Sequence, residues 1–204
     1  MRVAGGILTF ALLTVGLTSG VFFPGMAFAQ NWMEYENREY GFAINFPKEP
    51  EIEDVTYTTA SGASLPARIF FAEEETGRYT ITVVDFSARQ EEQAAAVEHA
   101  VEAMRQRGDV VYEVVGDLDE VPSPQFMIVE PDGREMLSTI VFYRNHLYIA
   151  EGSVAAGAAP PAQFQQSMML VHEDGTRPNG GGQNSDRIAR QRAYEEQQRQ
   201  QQQE

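Results

Sequence analysis

Tyr40-Gly41-Phe42-Ala43-Ile44-Asn45-Phe46-Pro47 is the stretch that decides the class of fold. Phe42, Ile44 and Phe46 alternate with small or polar residues, which is the two-residue period of a strand with one buried face. Pro47 and Pro50 end it, because proline has no N–H to give to a ladder. Upstream, Trp32 to Tyr35 reads as a short strand joined to it through the polar turn Glu36 to Glu39. Downstream, Val55 to Thr59 predicts a β segment and Ser61-Gly62 a turn. Leu65 to Ala72 then places Leu65, Ala67, Ile69 and Phe71 on one side of a strand. After the charged turn Glu73-Glu74-Glu75-Thr76-Gly77, Tyr79 to Phe86 is apolar on both faces and belongs inside a sheet covered on each side.

The pattern then changes period. The spacing predicts one long helix over about 88–107, with Ser87 and Gln90 as a capping box and Ala94, Val97, Val101 and Met104 as the core stripe. Glu91 and Glu92 suit its positive end, Arg105 and Arg107 its negative end, and Gly108 can cap it. Val110 to Val115 returns to strand, followed by an acidic loop through Asp117, Asp119 and Glu120 to Pro122 and Pro124. Phe126 to Glu130, Glu135 to Tyr143 and Leu147 to Val154 predict a three-stranded meander, turned at Pro131-Asp132-Gly133-Arg134 and Arg144-Asn145-His146. Pro160-Pro161 can open a second helix over about 160–172, with Phe164, Met168 and Val171 inside. Strands gathered around few helices define an α+β protein with a largely antiparallel sheet of about six to eight strands.

Residues 1–29 carry an address. Arg2 gives a basic start, Ile7 to Phe23 is mostly apolar, and Pro24-Gly25 precede Ala27-Phe28-Ala29, a fit to signal peptidase with cleavage between Ala29 and Gln30. The alternative is an uncleaved anchor, which the glycines and hydroxyl residues within the run weaken. The expectation is an exported chain, in the periplasm or outside the cell, with no membrane span after cleavage. Residues 30–173 form the domain. Residues 174–204 form a Gly/Gln-rich flexible tail, or a lone helix from Asp186, which has too little apolar surface to stand as a packed unit.

The 204 residues hold 30 acids against 15 bases, for a formal net charge of −15. Arg2 is the one base in the leader, and the tail from Asp174 balances five arginines with five acids, so the acidity belongs to the body. Such a surface repels phosphate backbones and excludes nucleic acid, while it favours a basic protein partner or divalent cations. The absence of cysteine removes disulfides, thiol catalysis and thiolate metal sites, so a hydrophobic core must supply stability.

Tyr40 to Pro47 resembles the opening strand of PsbP-like domains, a group that also holds a yeast-type Ran-binding import factor and bacterial envelope proteins of the DcrB kind. Tyr143-Arg144-Asn145-His146-Leu147-Tyr148-Ile149, Pro160-Pro161 and Phe164-Gln165-Gln166-Ser167 are similar too. The resemblance spans most of Trp32 to His172. It implies an α/β/α sandwich, and an accessory or binding role without a shared catalytic centre. No family binding motif falls on particular residues here.

Catalytic chemistry finds no starting point in the sequence: no Gly-x-Ser-x-Gly elbow, no His-Glu-x-x-His and no Gly-x-x-x-x-Gly-Lys. His99 reads as an exposed helix residue beside Glu102, His146 as a turn residue and His172 as a helix-end cation. No cofactor is implied. Asp117, Asp119 and Glu120 are the best oxygen cluster for a cation, though calcium needs six to eight converging ligands. Tyr143, Tyr148, Tyr35 and Trp32 can line a groove or pack a core. The leading expectation is a non-enzymatic exported accessory protein that docks a protein partner. A small-ligand or divalent-cation binder is the alternative, and an Asp/Glu hydrolase the remote one.

Overall fold

The computed structural model describes residues 32–178; the leader assigned to 1–29 and the chain beyond Pro178 lie outside them. Among the described residues ten strands form: β1 (Met33–Asn37), β2 (Phe42–Phe46), β3 (Glu51–Thr58), β4 (Ser64–Glu73), β5 (Gly77–Asp85), β6 (Asp109–Leu118), β7 (Val121–Val129), β8 (Glu135–Tyr143), β9 (His146–Val154) and β10 (Met169–Leu170). Seven make one sheet in the order β3-β4-β5-β9-β8-β7-β6, and a small sheet runs β1-β2-β10. All these pairings are antiparallel. With helix α1 (Ala96–Arg105) and the short α2 (Ala162–Gln166), the class is α+β, as the alternation and the single helical stripe require.

Each face of the large sheet has its own core. On one, Phe42, Ile44 and Phe46 of β2 meet Phe70, Ile81, Tyr148, Phe164 of α2 and Leu170 of β10, all fully buried or nearly so. On the other, Ala100, Val101 and Met104 of α1 pack on Leu65, Val84, Phe86, Phe126, Ile140 and Leu147. Each large side chain so buried stabilises the fold by about 1.5–3 kcal/mol relative to exposure, which is how a chain without disulfides holds together. β5 and β9 sit in the middle and are covered on both sides, as the apolar run Tyr79 to Phe86 demands.

Several local expectations need correction. The helical stretch splits into a 3-10 segment (Gln90–Ala95) and α1, and no capping box forms. The Ser87 N–H is taken by Asp85 Oδ1 (2.8 Å), which fixes a turn in its place. The buried stripe is therefore Ala96, Ala100, Val101 and Met104, while Ala94 faces solvent. Gly108 does not cap by a left-handed φ. A Cβ there would stand 2.2 Å from the Val129 carbonyl oxygen, so glycine is what lets the chain leave α1 against β7.

The second helix stops at Gln166. Ser167 Oγ donates to the Phe164 carbonyl (2.9 Å) and accepts the Asn45 N–H (2.9 Å), which commits the following residues to strand pairing with β2. In β4 the buried side changes midway. Leu65 and Ala67 lie under α1, but Phe70 and Ala72 turn to the small sheet, leaving Ile69 and Phe71 half-buried.

Candidate functional site

Seven strands about 4.8 Å apart make a sheet roughly 29 Å wide, and one helix about 10 Å across covers only a stripe of it. α1 lies over β8 and β9, so the outermost strand on the β7 side is left bare. β6 pairs with β7 alone, and its outer edge carries no strand among the described residues. Its sequence, Asp109-Val110-Val111-Tyr112-Glu113-Val114-Val115-Gly116-Asp117-Leu118, is the kind of apolar run that normally lies inside a sheet. Here Val111, Val114 and Val115 are 57%, 49% and 71% exposed, and Val110 and Tyr112 are exposed as well.

A bulge at Val111, between the Val110 and Tyr112 pairings, shifts the alternation. Beyond it Glu113, Val115 and Asp117 share the α1 side, while Tyr112, Val114 and Leu118 share the other. Arg105 of α1 grips Glu113 with two hydrogen bonds (2.6 and 2.9 Å) and holds its carboxyl below the ordinary range. Asp109 and Asp117 have no ion-pair partner among the described residues. The result is a ten-residue strand edge, about 33 Å long, with bare valines and, among the described residues, no strand on its outer backbone groups and no ion pair to two of its carboxylates. The opposite edge, β3, is guarded differently: Glu51, Glu53 and Asp54 crowd its first half, and Arg68 pairs with Asp54 at 2.6 Å.

The sequence singled out Asp117, Asp119 and Glu120 as oxygen ligands. Asp119 and Glu120 form the β6–β7 turn with φ of 52° and 66°, and Asp119 Oδ2 accepts the Leu170 N–H at 2.8 Å. No group of three His, Asp or Glu side chains converges to hold a metal among the described residues. Asp119 ties the turn of one sheet to the end strand of the other.

The histidines separate. His99 Nε2 lies 3.1 Å from the Thr58 carbonyl oxygen and its ring meets Tyr57, so it joins α1 to β3 instead of answering Glu102. His172 follows β10 and not a helix, and its Nδ1 is buried without a hydrogen bond. His146 opens β9 directly opposite Tyr143, while Arg144 and Asn145 are the turn itself. No described hydroxyl or carboxylate hydrogen-bonds a histidine ring.

The aromatic candidates divide as well. Trp32 stands edge-on to Tyr79 (4.9 Å), and Tyr35 packs against Phe42, Phe46 and Phe70, so both belong to the core. Tyr143 and Tyr148 come to one concave place beside His146. At the far end of the strands Arg107 clamps Glu130 and Glu151, each at 2.8 Å, and Ser153 Oγ donates to Glu130 (2.6 Å). That network pins the end of α1 to β9 and β7.

The described residues form an α+β domain with one bare strand edge. No protein-family model and no curated protein matches the chain. Its backbone is similar to the solution structure of cyanobacterial PsbP from Synechocystis sp. PCC 6803, with 14% identity, 64% of this chain and 84% of that one covered, and a TM-score of 0.40. It is also similar to the crystal structure of protein PA94 from Pseudomonas aeruginosa, with 12% identity, coverage of 65% and 85%, and a TM-score of 0.31. With scores this low, fold family and function rest on the chain's own geometry. No helix among the described residues is long and apolar enough to cross a membrane.

Proposed function

We propose that this is an exported, non-enzymatic accessory protein that binds a protein partner by accepting one of its strands along β6. The observation that carries the reading is the exposure of Val111, Val114 and Val115 on an edge that has no strand partner among the described residues. Such an edge is an aggregation hazard unless something covers it, and strand addition supplies both the missing ladder and apolar burial. The export half of the reading is supported by the leader pattern ending at Ala29.

The occupant is a partner segment in which apolar residues alternate with Lys or Arg. Asp109 and Asp117 have no ion-pair partner among the described residues, and the chain is acidic overall, so a basic strand is attracted and steered in. A second copy is the poorer occupant. Laid antiparallel and centred on Glu113, two β6 strands would set Asp109 against Asp117 at both ends, and like charges directly opposite are destabilising.

Photo-crosslinking in the native envelope tests this. A photoreactive residue at Val115 should yield one dominant protein adduct, and the same residue at Ile52 on β3 should not. The Val111→Lys, Val115→Lys pair should abolish the adduct from a photoreactive residue at Val114. Equal adducts from both edges, or a strong adduct that survives the lysines, would sink the reading. N-terminal sequencing of the envelope form should begin at Gln30; a chain still carrying residues 1–29 would overturn cleavage.

A further inference from the structure

A second site stands at the β8–β9 turn, and it is built from different chemistry. Arg144 and Asn145 occupy the two central positions with φ of 46° and 68°. This is the left-handed pair that a two-residue hairpin loop demands and that Asn-Gly fills best. A non-glycine cation held there is an outlier that needs a reason. The turn is also latched: the Asn145 carbonyl accepts the Phe86 N–H (2.8 Å) and its Oδ1 accepts from Gln93 (2.9 Å).

Alone among the described arginines, Arg144 has neither an ion-pair nor a hydrogen-bond partner within that set. Its guanidinium instead lies 5.4 Å from the centroid of the Tyr143 ring. In a body so rich in carboxylates, an arginine left uncompensated over an aromatic face is a prepared anion contact.

It borders a cavity of about 100 Å³ lined by Tyr40, Gly41, Tyr143, His146 and Tyr148. His146 stands between the rings of Tyr40 (6.4 Å) and Tyr148 (6.1 Å). The floor is rigid, since Tyr148 is almost wholly buried and its hydroxyl donates to the Tyr40 carbonyl at 2.8 Å. Gly41, at φ 70°, keeps it open: a Cβ would lie 3.1 Å from the Val171 carbonyl oxygen and 3.2 Å from the Tyr148 hydroxyl. The space is several times what one water needs, enough for an anionic head group and the start of a ring.

We propose that this cavity binds a monovalent carboxylate carried on a flat apolar body, with the carboxylate on Arg144 and the body against Tyr143 and His146. Arg offers a planar fork that matches a carboxylate. The rim also carries Glu39, Glu173 and Arg38, the last already paired with Glu36, so the carboxylates beside Arg144 repel a phosphate dianion more than a single charge. A free aromatic acid and the C-terminal carboxylate of a peptide ending in an aromatic residue share this chemistry.

Titration of the ¹⁵N-labelled chain separates the sources and the outcomes. Benzoate, a peptide ending in phenylalanine, the same peptide amidated, and inorganic phosphate are added in turn. The expected result is saturable shifts at Tyr143, Arg144 and His146 with one or both carboxylates, and at least about tenfold weaker binding of the amide and of phosphate. Arg144→Gln should weaken carboxylate binding by about tenfold or more. Arg144→Gly should do the same while raising the melting temperature, because glycine removes the left-handed strain. No saturation by either carboxylate up to about 10 mM, phosphate binding as tight as benzoate, or undiminished binding in Arg144→Gly would each overturn the proposal.

Discussion

Replacing Asp119 separates a backbone role, a hydrogen-bond role and a cation-ligand role at one position. Two things hold it in the structure: a φ of 52°, and the Leu170 N–H that its Oδ2 accepts at 2.8 Å. Leu170 is fully buried, so losing the acceptor strands a donor at about 1–3 kcal/mol. An alanine at a left-handed φ adds about 1–2 kcal/mol. Asp119→Ala should therefore lose about 2–5 kcal/mol, and Asp119→Gly, which is free of the backbone strain, only the hydrogen-bond share of about 1–3 kcal/mol. Asp119→Asn keeps an acceptor and tolerates the conformation, so it should lose less than about 1 kcal/mol.

Urea unfolding of the three variants gives the order directly, and each kcal/mol should appear as about 2–4 °C in melting temperature. Calcium up to millimolar levels should leave the melting temperature of the wild type unmoved, since a ligand of the native state must stabilise it. An Asn variant as weak as the Ala variant, or a calcium-dependent rise lost in Asp119→Asn, would refute the structural role argued for this carboxylate.

Two further outcomes follow from packing and from charge. Gly108→Ala should destabilise by about 1–3 kcal/mol or more, because the new methyl meets Val129 backbone at 2.2 and 2.9 Å and not a movable side chain; a neutral substitution by urea midpoint would contradict the close approach. Burial pushes the Glu151 carboxyl above its ordinary range against the pull of Arg107. A group that holds its proton more tightly folded than unfolded favours the fold at low pH, and that contribution is lost as pH rises through its folded-state value. Glu151→Gln stays neutral throughout, so wild-type stability should decline relative to it as pH rises above about 4, the ordinary carboxylate value; a pH-independent difference would contradict the assignment.

What the sequence made legible was periodicity, and what it hid was position across the sheet. Phe42, Ile44 and Phe46, the run Tyr79 to Phe86 and the meander from Phe126 to Val154 all show their burial or pairing in local pattern. Val110 to Val115 carries the same apolar signature as a central strand, yet it lies outermost, because strand order depends on long-range pairing that no local window encodes. The one clue was adjacency: an apolar run followed at once by Asp117, Asp119 and Glu120. Likewise the helix signals around Ser87 were outcompeted by the Asp85 carboxylate two residues upstream, a local hydrogen bond that a capping pattern does not weigh. Arg144 reads as turn filler in sequence; only the described ion pairs, which match every other described arginine except Arg134, bound at Ser153, show it to be unpaired.

Backbone amide exchange along β6, measured on the chain alone and with the partner captured at Val115, tests the docking claim most directly. The account predicts new protection of alternate amides across 109–118 and none across 51–58. Unchanged exchange in β6 while another surface gains protection would contradict it.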